Sequence, residues 1–273
     1  MKLNRRQRVL IGLGVSLLFL AVVCAAGILS KEAAMATDFS RKNMAPCVKY
    51  IFGTDWLGRD MLARTLTGLS LSILIGLLAA AVSAALALVL GIASATMGKA
   101  VDAAITFCID LAMGVPHILL LLLISVALGK GLRGVIVGVA LTHWPSLARL
   151  IRAEVIQLKE SPYIQIAEKL GKSKWYIARK HLLPHLLPQF VVGLVLLFPH
   201  AILHESSITF LGFGLSTEQP AIGIVLSEAM KYLVTGKWWL ALFPGLLLVI
   251  VVTLFYVAGE SLQKLMNPGS VHE

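Results

Sequence analysis

Apolar runs of about 20 residues fix the fold class of this chain, because a helix of that length crosses about 30 Å of hydrocarbon. Six segments have this character: Val9–Leu29, Leu69–Met97, about Ala112–Leu128, Gly134–Ala148, Gln189–Thr209 and Trp239–Leu262. The fourth is short and contains glycine, and it crosses only by extending into Leu150–Ile151. Composition agrees, since 58% of the 273 residues are hydrophobic and 14% are charged. A soluble domain has about 45–50% and about 25%. No globule of this size can hide that surplus, and a disordered or collagen-like chain is excluded on the same ground. The chain reads as an all-α polytopic membrane protein with six transmembrane helices, which places both termini on one side.

The first run follows Lys2, Arg5, Arg6 and Arg8, as a signal peptide would. It is longer than the usual apolar region of about 7–15 residues, and no A-x-A site follows it. Leu20 to Cys24 approaches a lipoprotein site, but bulky Val23 stands where a small residue is needed. Residues 1–30 are therefore read as an uncleaved N-terminal transmembrane helix, 31–68 as an extracytoplasmic loop, and 69–273 as a core with a cytoplasmic loop at about 149–185. Orientation follows the Lys/Arg balance of short loops. The formal net charge is +10, and the stretch 149–181 alone carries eight Lys/Arg. In the loop 31–68, six Lys/Arg are nearly offset by Glu32, Asp38, Asp55 and Asp60. Both termini and the 149–181 stretch are read as cytoplasmic. Cys24, Cys47 and Cys108 form no paired spacing and no C-x-x-C, so no disulfide framework or structural zinc site is expected.

The stretch 161–171 carries helix punctuation at both ends: Ser161 as a cap, Pro162 at the first helical position, Gly171 as a left-handed stop. A second helix can start at Ser173 and run towards Leu183, with Pro184 stopping or kinking it. Spacing alone fits either an interfacial basic helix held by anionic lipid or a docking element. The combined pattern Gln165-x-Ala167-x-x-x-Gly171, then Ile177, His181-Leu182-Leu183-Pro184 and Pro188, resembles the EAA loop of ABC-importer permeases. Gln165 stands where Glu is usual, and Ile166 where Ala is usual. The resemblance implies a type I ABC importer permease fold. It also implies a short helix (Gln165, Ala167, Gly171, with Ile177, His181 and Pro184 following) that docks in a groove of an ATPase subunit.

Phe52-Gly53-Thr54-Asp55-Trp56-Leu57-Gly58-Arg59-Asp60 resembles the FGTDxxGRD signature of C-type permease subunits of peptide/nickel importers. Read locally, Thr54 or Asp55 can cap a helix, and Asp55–Arg59 and Asp60–Arg64 are i,i+4 pairs holding a helix end at the outer surface. Ser207 to Gly214 resembles the SFLGLG stretch of that subfamily. Trp239 to Pro244-Gly245 resembles its entry into the last span, and Gly259-Glu260-Ser261-Leu262 with Asn267-Pro268 resembles its ending.

No Walker A motif is present: Gly91 to Gly98-Lys99-Ala100 has six residues between the glycines and Ala where Ser or Thr belongs. The resemblance implies that this chain binds no cofactor and that ATP-Mg is used by two partner ATP-binding subunits. It further implies a second homologous permease subunit that completes a heterodimer, and an extracytoplasmic solute-binding protein that delivers the cargo. The setting implied is the cytoplasmic membrane of a bacterium or archaeon, with a lipid environment and no nucleic acid. A self-sufficient carrier or channel is the competing class. It would show internal repeats with matched broken helices, whereas Pro116 and Pro199 interrupt two spans without matching halves. An enzyme would need a nucleophile–base set that does not stand out.

His200 and His204 lie at i,i+4, which puts both imidazoles on one helix face as two metal ligands require. A pair of polar residues hydrogen-bonded between helices satisfies the same spacing. Nickel-importing members of the family tend to carry H-x-x-x-H just before the SFLG stretch. They also resemble Leu141-Thr142-His143-Trp144, near Arg149. The resemblance implies nickel, free or chelated, as cargo with His200, His204 and His143 as candidate ligands; a dipeptide or oligopeptide cargo is the alternative.

Overall fold

The structure, a computed structural model, describes residues 4–266; Lys2 and the Asn267-Pro268 ending lie outside them. The helices are α1 (Arg5–Leu29), α2 (Lys31–Met35), α3 (Met61–Thr96), α4 (Lys99–Gly114), α5 (His117–Ala127), α6 (Gly131–Lys159), α7 (Pro162–Lys169), α8 (Lys174–Ile177), α9 (Leu183–Phe210), α10 (Ile222–Met230) and α11 (Trp239–Met266). Among the described residues there is no strand.

Five helical rods are long and apolar enough to cross a membrane: α1, α3, α6, the continuous stretch Lys174–Phe210, and α11. The third expected crossing, about Ala112–Leu128, is not one straight helix. Helix α4 ends at Gly114, α5 begins after Pro116, and their axes meet at 101°. Proline has no N–H for the helix ladder and disfavours helical backbone in the residue before it. Val115 is accordingly extended, with ψ 139°.

Helix α3, which holds the apolar run from Leu69, starts at Met61 and is capped by Asp60 and not by Thr54 or Asp55: the Asp60 carboxylate accepts from the Leu62 N–H at 2.8 Å and the Ala63 N–H at 3.4 Å. Pro184 neither stops nor sharply kinks the chain. It sits in the first turn of α9, after a wider π-turn over Ala178–Leu182, and the rod continues to Phe210.

Helix α3 is the spine. Between helices in lipid there is no water to exclude, so close van der Waals contact supplies the attraction, and small residues allow it. Gly76, Ala80, Ser83, Ala87 and Gly91 form a buried stripe along α3. A Cβ on Gly91 would lie 2.9 Å from the Ala148 carbonyl oxygen of α6, and one on Gly76 would lie 3.2 Å from the Phe198 ring of α9. Helix α1 crosses the start of α3 at Gly27, beside Leu66 and Ser70, and its own start lies by Ser261 of α11. The beginning of α1, the α3–α4 turn, α7 and the end of α11 thus share one end of the bundle. The loop 36–60 and α10 occupy the other.

That second end is closed by an ion cluster. The fully buried Asp55 carboxylate accepts from the Leu57 N–H at 2.8 Å and the Arg59 N–H at 2.9 Å. It also binds Arg59 Nε at 2.6 Å and Arg64 at 2.5 Å, and Arg64 reaches on to Glu228 of α10 at 2.9 Å. The Asp55–Arg59 pair is therefore formed but buried rather than superficial, and Arg64 turns to Asp55 and Glu228 instead of Asp60. Thr54 Oγ1 accepts from the Met44 N–H at 2.9 Å and donates to the Arg41 carbonyl. Gly53 (φ +72°) and Gly58 (φ +74°) are left-handed, and a side chain on either would meet the Met44 or Asp38 carbonyl. The string is thus explained residue by residue as a turn that wraps a buried carboxylate.

Removing one member of a buried pair leaves the partner charge uncompensated, at about 3–5 kcal/mol. Asp55→Ala should lower the thermal unfolding midpoint of the purified subunit by several degrees. Glu260→Gln, which removes the charge of the exposed pair with Lys264, should leave the midpoint almost unmoved. Equal midpoints would show that the cluster contributes nothing net.

Candidate functional site

The break at Val115–Pro116 opens a cleft of about 620 Å³ against the middle of α6 and of α9. Three histidines meet there. His117 opens α5 directly after Pro116, His143 lies on α6 and His204 on α9. Their ring centroids stand 4.5 Å (His117–His143), 4.3 Å (His117–His204) and 5.1 Å (His143–His204) apart. One nitrogen from each falls within 4.8 Å of the others. The His143 ring is pinned: Nδ1 lies 2.9 Å from the Val139 carbonyl oxygen and 3.2 Å from Thr142 Oγ1. Its Nε2 and the Nδ1 of His117 are buried without a hydrogen-bond partner.

Two of the three histidines named from the sequence, His143 and His204, are therefore brought together. The third member is His117, which the sequence reading passed over. A histidine directly after a proline inside an apolar run was the available signal. His200 lines the same cleft but is exposed and stands outside the trio.

At the second candidate region, α7 lies across the bundle end. Pro162 occupies its first turn. Ser161 does not cap it; its hydroxyl donates to the Leu158 carbonyl at 2.5 Å. Ile164 and Ala167 face the bundle and are buried, so the small size of Ala167 serves the seating of α7 on its own core. Tyr163, Ile166 and Leu170 point outwards, with 45%, 57% and 71% of their surface exposed. Gly171 is left-handed (φ +72°), and Ser173 caps α8 by accepting from the Tyr176 N–H at 3.2 Å. The Gln165 amide donates to the Glu160 carbonyl at 3.1 Å. Ile177 is buried, and the His181 ring lies 6.0 Å from those of Tyr163 and Tyr176. Pro184 opens the long rod beyond. Beneath α7, Arg152 grips Asp102 through two contacts of 2.6 Å, and Lys159 donates to the Ala95 carbonyl at 3.0 Å. These bonds tie the end of α6 to the α3–α4 turn.

Comparison with known proteins gives this architecture its class. Residues 87–271 match the family described as the binding-protein-dependent transport system inner membrane component. The chain is 30% identical over 268 residues to the dipeptide transport system permease protein DppC of Bacillus subtilis (strain 168), covering 98% of this chain and 83% of that protein. It is 33% identical over 267 residues to a putative peptide transport system permease protein of Brucella suis biovar 1 (strain 1330), covering 98% and 90%. A probable D,D-dipeptide transport system permease protein, DdpC of Escherichia coli (strain K12), is 29% identical over 233 residues, covering 85% and 78%. A chain of the inward-facing MetNI methionine ABC transporter matches in fold with a TM-score of 0.60 at 20% identity, over 76% of this chain and 98% of that one. The fold is that of a type I ABC importer permease. The chain belongs to the binding-protein-dependent inner-membrane permeases of ABC importers, a family of transport subunits that act in the membrane with ATPase and binding-protein partners.

Since Ile164 is the fully buried anchor of α7, Ile164→Ala should loosen that helix at a local cost of about 2–5 kcal/mol. Hydrogen exchange of residues 162–170 should speed up while the middle of α3 stays protected. Unchanged exchange at α7 would mean that its seat lies elsewhere.

Proposed function

We propose that this chain is one of two unlike permease subunits of an ABC importer for short peptides or peptide-like molecules, with ATP-Mg bound and hydrolysed by two partner subunits. The observation that carries the coupling part is the apolar strip Tyr163, Ile166 and Leu170, left uncovered on α7 at the end of the bundle. A strip of that kind fits a groove on a partner subunit, and Gly171, Ile177, His181 and Pro184 set the direction in which the chain returns to the membrane. Gln165 holds its own backbone and lies beside that surface. The names of the relatives support the peptide cargo. The division into a first helix, an outer loop at 31–68 and a core from residue 69 accompanies this reading, as do cytoplasmic termini and the cytoplasmic membrane of a bacterium or archaeon.

Nickel, free or chelated, is a second reading of the cargo. One observation favours it: the cleft gathers His117, His143 and His204 at ligand-like spacing, with His200 nearby.

In the reconstituted importer, Ile166→Glu or Gly171→Val should reduce uptake well below the wild-type amount per ATP hydrolysed, while the subunit still inserts. Full coupling in both variants would remove α7 as the docking element. Orientation is tested separately. Cys47, which is exposed in the 36–60 loop, should react with a membrane-impermeant thiol reagent from outside, and Lys172→Cys only from inside. Uptake of a labelled dipeptide beside radiolabelled nickel, in cells with matched permease levels, separates the two cargo readings.

A further inference from the structure

We propose that His117, His143 and His204 form a binding site for one divalent first-row transition ion inside the cleft. The site stands on geometry alone; its use in transport rests on the reading that the cleft belongs to the cargo path. Each histidine comes from a different element, α5, α6 and α9, so the grouping is made by the fold and not by local sequence spacing. A neutral imidazole has one N–H and one lone pair, but the three rings, two pairs edge to face and one tilted, form no hydrogen bond with one another among the described residues. Here the mismatch is explicit. His143 uses Nδ1 on the α6 backbone, which leaves Nε2 buried and unpartnered, and His117 Nδ1 is in the same condition. Orphaned buried polar atoms of this kind call for an unseen partner. A cation with several open positions is one that answers all the lone pairs together.

The donor set selects the class of ion. All three donors are imidazole nitrogens, and no carboxylate or thiolate belongs to the group. That composition disfavours calcium and magnesium, which take oxygen ligands, and suits nickel, cobalt, zinc or copper(II), with affinity rising towards copper along the usual order. Nitrogens bound to one ion at 2.0–2.1 Å lie about 3 Å apart, whereas these reach up to 4.8 Å. The rings must draw together around the ion. His143 is held by its backbone contact, so the movement falls to His117, at the hinge after Pro116, and to His204. A site completed only on binding holds its ion less firmly than a preformed one, which suits a path from which the ion has to leave. The cleft side stays open. At about 30 Å³ per water in the liquid, its 620 Å³ leaves room for further ligands contributed by water or by a chelator.

The test uses the complete importer, purified and freed of metal, with nickel sulfate as the probe. One equivalent of nickel should give an X-ray absorption spectrum with three imidazole shells, a readout that needs no variant. Titration should show His117→Ala, His143→Ala and His204→Ala each weakening nickel binding by more than about tenfold, with His200→Ala changing it by less than about threefold. His185→Ala, on the α7 side of the bundle, controls for histidine number. Thermal unfolding, with His143→Asn as the milder change, identifies a variant that lost binding only because it lost its fold. Full nickel affinity in a folded His117→Ala variant overturns the proposal, and so does a spectrum with fewer than three imidazoles. A loss in His200→Ala equal to that in His117→Ala would replace the trio with the i,i+4 pair. Binding to the purified complex with no nickel uptake in cells would keep the site and reject nickel as cargo.

Discussion

Hydrocarbon offers no hydrogen bonds, and a backbone group left without a partner there costs several kcal/mol. Irregular chain inside a membrane is tolerated only where it faces protein or a water-filled space. The turn at Val115–Pro116 is such a place, and the middle of the molecule is arranged around it. The cleft receives the freed end of α4, and α5 leaves at 101° to lie along α6. The far end of α5 is tied down as well. Ser125 Oγ donates to the Phe213 carbonyl at 3.0 Å, and the Gly131 N–H donates to the Gly214 carbonyl at 2.9 Å. The broken element is thus bracketed by the turn that follows α9. Next to His204, the buried Glu205 accepts from Thr209 Oγ1 at 3.0 Å and Ser206 Oγ at 3.2 Å within α9, and its hydrogen bond with Ser72 ties that helix to α3.

The two ends of the bundle use charge differently, and magnitudes decide which use matters. At the α7 end, the exposed pair Lys264–Glu260 is screened by salt and adds little. The Asp55 cluster is closed to water, and its carboxylate accepts from both backbone and guanidinium donors, close to the four sites it offers. Arg64 serves two carboxylates through separate nitrogens while Trp56 lies 5.5 Å from its guanidinium carbon. Lysine, a point charge without a fork, could not span Asp55 and Glu228 in that manner. This cluster locks the loop 36–60, α3 and α10 into one surface, and it does so without a disulfide.

Features written in neighbouring residues were legible in the sequence. Pro162, Gly171 and Ser173 punctuate α7 and α8 as read, since capping and left-handed turns are decided within four residues. The apolar runs located five crossings and the approximate place of the sixth. What escaped was set by packing between distant segments. Glu228 is 164 residues from Arg64 in the chain, and nothing local marks it as the second carboxylate. His117 gains its meaning only when α5 folds against α6 and α9. Asp60 was assigned to Arg64 by an i,i+4 rule, but the free N–H groups at the start of α3 claimed it first. Pro184 reads as a stop or a kink because proline breaks helices, whereas a π-turn just before it absorbs the mismatch. Ala167, a small residue placed by the family pattern on the docking helix, faces its own core.

The uninterrupted rod from Lys174 to Phe210 changes what the molecule can transmit. Helix rise is about 1.5 Å per residue, so His204 and the start of α8 are joined by about 45 Å of continuous helix. Had Pro184 broken the chain, a push on α7 or α8 would have been lost in a flexible joint. Helix α6 makes a parallel connection: His143 sits in its middle, and its last turn runs through Glu160 and Ser161 directly into α7. The Arg152–Asp102 contact adds α4, the helix that ends at the break beside His117. Each of the three elements walling the cleft thus leads, within one helix, to the surface where α7 lies. That contiguity names the rigid bodies that must move if closure at the bundle end is to change the spacing of the three imidazoles, and a few degrees of rotation of α9 against α6 suffice at that distance.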